Sequence, residues 1–166
     1  MNAGNESFAE GGCTCRTVRY RIQGTPMIVH ACHCSWCQRE TGTAFALNAI
    51  IEADRVALLQ GEVEVIDTPS ASGRGQKIAR CPQCRVALWS NYPTGGPGIR
   101  FVRVGSLDEP GAFLPDAHIY ASTKQPWLVL PADGAPVFDE FYDPRVVWPQ
   151  ECRDRYVAAQ KAAASA

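Results

Sequence analysis

The chain has 166 residues, 46% of them hydrophobic and 20% charged, the make-up of an ordinary globular protein long enough for one domain with a real core. Sixteen basic against seventeen acidic side chains leave a net charge of -1, which gives no electrostatic footprint for nucleic acid or an anionic membrane. No apolar run approaches the ~20 residues that span a bilayer. Residues 1–12 are polar and glycine-rich without a secretory pattern, so a cytoplasmic location is expected.

Gly and Pro punctuate the chain, 14 and 12 of them, and the segments between are short. Thr17 to Ile22 alternates cleanly and predicts a strand. Phe45–Ile51, Val56–Ile66, Gln76–Arg80, Val86–Ser90 and Ile99–Val104 predict further strands by the same logic. Gly24-Thr25-Pro26, the stretch from Thr68 through Gly75, and Tyr92 to Gly98 read as turns or loops. Asp108 to Pro149 holds seven prolines and reads as extended and irregular. Only Gln150 to Ala164 is alanine-rich enough for a helix, and with few apolar residues it is expected to dock weakly. The sum is a mainly β fold: one domain over residues 1–166, with a core from about 8 to 149 and a helical tail over 150–166.

Eight cysteines mean disulfides in a secreted protein and more often metal in a reducing compartment. Seven fall into Cys13-x-Cys15, Cys32-x-Cys34-x2-Cys37 and Cys81-x2-Cys84, too closely spaced for mutual bridging, which favours metal. Cys81-Pro82-Gln83-Cys84 is a zinc knuckle, a tight turn that brings two sulfurs to one ion at about 2.3 Å. Structural zinc takes four ligands, and Cys13 with Cys15 is the natural complement. Three ligands with an open fourth position mark a reactive zinc instead, and Cys32, Cys34 and Cys37 fit that description. On spacing alone, a closed site remains open, with His30, His33, His118 or Cys152 as fourth ligand, and so does a different pairing of the clusters.

These residues resemble the glutathione-dependent formaldehyde-activating enzymes, a family that includes the centromere protein V domain. The resemblance runs from about Glu10 to Phe138. It is carried by Gly11-Gly12-Cys13-Thr14-Cys15 with Val18-Arg19-Tyr20, and by Cys32-His33-Cys34-Ser35-Trp36-Cys37-Gln38-Arg39 with Thr41-Gly42. The Cys81–Cys84 knuckle, His118-Ile119-Tyr120, Lys124 and Pro126-Trp127 complete it. It implies a β-tent fold of small antiparallel sheets joined by zinc knuckles, with a short C-terminal helix. It also implies two Zn2+ ions per chain: a structural one on Cys13, Cys15, Cys81 and Cys84, and an active one on Cys32, Cys34 and Cys37. The implied activity is that of a carbon–sulfur lyase of the S-(hydroxymethyl)glutathione synthase type, with glutathione or a related small thiol as partner. Arg85 departs from the pattern, since a glycine commonly follows the knuckle.

The chemistry of such a site is legible in its own terms. A zinc with three thiolates is a weak Lewis acid that accepts one further soft ligand, and a thiol entering there is deprotonated. Glutathione has two carboxylates, which call for cations near the triplet. Arg39, two residues beyond Cys37, is the sequence-local candidate, ahead of Arg16, Arg19 and Lys124. His118 is a candidate acid or a structural histidine, Trp36 and Trp127 are pocket walls or core, and Cys152 lies outside every cluster. The alternative from another class is a non-catalytic zinc module that mediates protein interaction.

Overall fold

In the computed structural model, which describes residues 7–130, 132 and 134–165, the described chain is mainly β, with two sheets and few helices. β1 (Phe8–Gly12), β2 (Arg19–Gln23) and β5 (Val56–Gln60) form a three-stranded antiparallel sheet. The larger sheet has the order β10-β3-β4-β9-β8-β7-β6. Its strands are β3 (Ile28–Cys32), β4 (Ala46–Glu52), β6 (Glu64–Thr68), β7 (Gln76–Arg80), β8 (Ala87–Asn91), β9 (Ile99–Arg103) and β10 (Ala117–Ile119). Every pairing is antiparallel except β10 against β3, which is parallel.

The predicted strand over 56–66 is two strands. Gly61, with φ +74° and no room for a Cβ against the Thr17 carbonyl oxygen, turns the chain between them, and the halves join different sheets. The strands at 8–12, 28–32 and 117–119 lack a clean alternation. β3 is buried at every position, so its residues are apolar on both faces apart from His30 and show no alternation.

β4 shows how one strand serves two cores. Ala49 and Ile51 pack with Tyr20, Ile22 and Trp89 beneath the small sheet, whereas Ala46 and Ile50 pack with Met27, Ile99, Tyr142 and Trp148. Side chains of a strand alternate between faces, so the large sheet is covered on both. The small sheet covers one face, and the chain beyond Phe138 contributes to the other.

The C-terminal helix α3 (Gln150–Ala164) docks more firmly than its composition predicts. Its hold is polar and steric. Arg155 makes two 2.7 Å bonds to the Glu52 carboxylate and one of 3.0 Å to the Thr25 carbonyl. Gly98 lets it approach, since a Cβ there would lie 2.3 Å from the Ala159 carbonyl oxygen. Two shorter α-helices, α1 (Ser35–Thr41) and α2 (Pro144–Val147), and four short 3-10 turns complete the helices among the described residues.

Candidate metal centres

Two cysteine clusters form, and each sits in its own core. In the first, Cys13 and Cys15 follow β1, while Cys81 and Cys84 lie in the turn between β7 and β8; their four Sγ atoms lie within 4.8 Å of one another. The two loops are built alike. Arg16 N donates to Cys13 O and Arg85 N to Cys81 O, both at 3.0 Å, and the chain then re-pairs through Cys13 N to Val18 O and Cys81 N to Val86 O. Each turn closes on a left-handed residue, Arg16 at φ 61° and Arg85 at φ 63°. Arg85 thus adopts the conformation for which glycine is suited, and arginine carries a conformational cost there.

The sulfur spacing tests the fit of a metal. Cys13 Sγ lies 3.4 Å from Cys15 Sγ, which lies 3.7 Å from Cys81 Sγ. A disulfide needs about 2.05 Å; a tetrahedron with 2.3 Å arms sets its sulfurs about 3.8 Å apart. All eight cysteines are free. The distances are those of thiolates around one ion. Burial pushes the Cys13 thiol up to about 11, whereas Cys15 is lowered to about 6 by the Thr17 hydroxyl and backbone.

The second cluster is assembled at the junction of β3 and α1. Cys32 ends the strand, Cys34 caps the helix by accepting from Cys37 N at 3.4 Å, and Cys37 lies in the first turn. The three Sγ atoms again lie within 4.8 Å of one another. Cys34 is held down to about 2 by hydrogen bonds from the Cys32 and Cys37 thiols and the start of the helix; Cys32 is pushed far up by Cys34, Cys37 and burial. Without a cation, one ionised sulfur suppresses the others. Three crowded soft donors with one readily ionised fit a soft divalent cation such as zinc.

Among the described residues no fourth His, Cys, Asp or Glu joins the triplet. The three histidines are engaged elsewhere. His30 Nε2 meets the Tyr142 hydroxyl at 2.5 Å. His33 Nε2 and His118 Nδ1 are 2.9 Å apart, with their rings stacked. Burial lowers His30 and His33 to about 4. Cys152 lies on α3, packed at the edge of the second core.

In place of a fourth ligand there is space. Cys32, Cys34 and Cys37 line a cavity of about 630 Å3. Trp36 lines it too, whereas Trp127 and Arg39 do not. Arg39 is exposed on α1, Arg19 is tied to Asp108 at 2.8 and 2.5 Å, and Lys124 Nζ donates to the carbonyls of Gln125 and Leu128. The guanidinium groups on the cavity wall are Arg74 and Arg153, and the latter is occupied with the Arg145 and Trp148 carbonyls.

One residue that the sequence reading passed over is Arg103. It is buried at the end of β9 and bonds to Asn48 Oδ1 and, at 3.2 Å, to Ser90 Oγ. No carboxylate pairs with it among the described residues, and although the neighbouring thiols and burial leave the Cys37 thiol raised overall, the Arg103 charge opposes that rise. A buried cation needs an anion, and a three-thiolate site supplies one. Its sequence signal is a charge inside the apolar run Phe101-Val102-Arg103-Val104.

The chain is similar to several known proteins. Two curated fungal proteins, each named "Putative glutathione-dependent formaldehyde-activating enzyme", are similar to the chain. The Penicillium rubens protein is 28% identical over 119 residues, covering 67% of this chain and 60% of its own length. The Colletotrichum graminicola protein is 26% identical over 131 residues, covering 74% and 66%. The chain thus spans about two thirds or less of these relatives. A crystal structure of a Rhodobacter sphaeroides protein aligns over 77% of this chain and 98% of that one, with 17% identity and a TM-score of 0.45. The profile of the glutathione-dependent formaldehyde-activating enzymes matches residues 8–123, all seven clustered cysteines included, and the chain belongs to that family.

Proposed function

We propose that the chain is a zinc-dependent carbon–sulfur lyase or synthase that joins glutathione, or a related small thiol, to formaldehyde or a similar small electrophile. The observation that carries this reading is the Cys32–Cys34–Cys37 triplet, which has three sulfurs, no fourth protein ligand among the described residues, and a cavity of about 630 Å3 beside it. The Cys13–Cys15–Cys81–Cys84 cluster, closed by four thiols, is the structural site in this reading.

A zinc ion in the triplet would supply a soft centre that acidifies an incoming thiol. The chain's own residues do the remainder. Cys32 and Cys37 are buried, Cys34 is half-buried and all three line the cavity, so they would hold an ion where a ligand from the cavity can reach it. Tyr142 and His118 keep the neighbouring imidazoles engaged, which preserves the open position. Arg103 offsets the negative charge of the thiolates. Arg74, on the cavity wall, and Arg39, exposed on α1, are the guanidinium groups available for the carboxylates of glutathione.

In the joining direction the thiol sulfur bonds to the carbonyl carbon, and the carbonyl π pair moves to oxygen. That oxygen takes up the proton the thiol gave up, giving the S-hydroxymethyl product. Holding the two partners together is the main source of acceleration. The test is NMR exchange spectroscopy of glutathione with formaldehyde: faster exchange with the zinc-loaded chain, lost in Cys34→Ser, is the expected result. Exchange at the uncatalysed rate would refute the reading.

A further inference from the structure

The cavity is far larger than formaldehyde requires. A two-heavy-atom aldehyde fills on the order of two waters' space, ~60 Å3, against about 630 Å3 here. What lines the remainder differs from one contributing segment to another. The segment leading into β7 contributes Ser70, Ser72, Arg74 and Gln76, all polar, with Ala71 the one apolar side chain among them. Gln76 is only 8% exposed, yet its Oε1 has no hydrogen-bond partner. A buried acceptor left unpaired is normally satisfied by something, and this one borders the cavity, where a ligand N–H or O–H can reach it.

The C-terminal segment contributes mostly the opposite chemistry. Phe141, Trp148, Tyr156 and Val157 line the same cavity, and all lie beyond residue 123, where the family match ends. Their placement is firm: Trp148 Nε1 donates to the Tyr142 hydroxyl at 2.7 Å, and α3 is pinned by Arg155 on Glu52. A rigid aromatic and aliphatic wall binds apolar surface and gains nothing from a hydroxymethyl group.

Resting on the reaction read above, we propose that the electrophile of this chain carries an aromatic or extended apolar substituent, and that the wall built by residues 141–157 selects it. The polar segment around Gln76 receives the peptide part of the thiol. The product is then a hemithioacetal of a larger aldehyde. Its balance is unchanged: one carbon–sulfur bond forms, and the thiol proton ends on the former carbonyl oxygen.

Two unreactive probes test the pocket separately from the reaction. Calorimetry with the zinc-loaded chain is expected to find S-benzylglutathione bound about tenfold more tightly than S-methylglutathione, as burial of a ring requires. Val157 is 46% exposed, so Val157→Glu can be made without disturbing the core, and it is expected to remove most of that preference. Equal affinities, or a preference that survives Val157→Glu, would overturn the proposal. A second arm follows exchange of glutathione with formaldehyde and with benzaldehyde. Acceleration of formaldehyde alone contradicts the apolar electrophile and leaves the reaction standing. Acceleration of neither, with the benzyl preference intact, removes the reaction and supports the ligand class.

Discussion

The Tyr142 hydroxyl and Nε2 of His30 are hydrogen-bonded across 2.5 Å, joining residues 112 positions apart. Trp148 Nε1, which can only donate, reaches the same oxygen at 2.7 Å. All three side chains are buried, and His30 stands two residues before Cys32. The bond ties the C-terminal wall of the cavity to the strand that carries the triplet.

Removing that hydroxyl leaves two buried polar groups unpaired. Tyr142→Phe is therefore expected to destabilise the chain by about 2–4 kcal/mol, measured by urea unfolding. A loss under about 0.5 kcal/mol would mean that the bond is not formed.

The two clusters are expected to respond differently to loss of one thiol. The four-cysteine site ties the loop after β1 in the small sheet to the turn between β7 and β8 in the large one. Structural zinc contributes on the order of 10–16 kcal/mol against a total stability of about 5–15, so Cys81→Ser should abolish folding. Cys34→Ser should retain the β-sheet circular dichroism while binding one zinc in place of two. Equal unfolding of both variants, seen in the same spectra, would make the triplet structural.

Arg103 is expected to act on metal affinity with little contact of its own. Arg103→Leu should weaken zinc at the triplet by about 10–100-fold, the range for outer-shell partners, with Arg103→Lys recovering part of the loss. Competition with a chromophoric chelator reads this directly. An unchanged affinity would show that the guanidinium serves only Asn48 and Ser90.

The Glu52–Arg155 pair gives a pH test of how α3 is held. Burial would raise the Glu52 carboxyl, but the Arg155 guanidinium, the backbone N–H of Glu52 and the nearby Arg55 charge together outweigh it and hold the group below its usual 4.5. A depressed folded value means that the stabilisation is present above the unfolded value and is lost as pH falls through the folded one. Glu52→Gln should cost about 2 kcal/mol at pH 7, and the gap to the unmutated chain should narrow below pH 4.5. A gap independent of pH would assign the effect to packing.

Arg85 offers a backbone test. Its left-handed φ of 63° suits glycine, so Arg85→Gly should hold or slightly raise the melting temperature. Arg85→Val, β-branched in the same conformation, should cost about 1–2 kcal/mol. Equal effects would show that the turn relaxes.

Much of this was legible before the structure because metal ligation is written in local spacing. Gln76–Arg80 is a strand with the predicted ends, and both cysteine groups meet as their spacing suggests. What escaped has a physical reason. β3 is buried at every position, so it lacks the alternation that reveals a strand. The segment over 108–149 reads as irregular from its prolines, yet Phe141 and Trp148 within it line the cavity and, with Tyr142 in the core, meet His30 across more than a hundred residues of sequence. The docking of α3 depends on Glu52 and Gly98, two residues with no local mark of that role. Arg39, near the triplet in sequence, is exposed on α1 and outside the cavity lining, while Arg74, remote in sequence, is part of that lining.

The central claim is that an ion held by Cys32, Cys34 and Cys37 keeps a position for a sulfur from outside the chain. Cobalt(II) substituted at both sites reports thiolate number through its sulfur-to-metal absorption. Added glutathione is predicted to raise that absorption and saturate at one equivalent per chain, with no change in Cys34→Ser. A spectrum indifferent to glutathione, with both sites filled, would contradict the account.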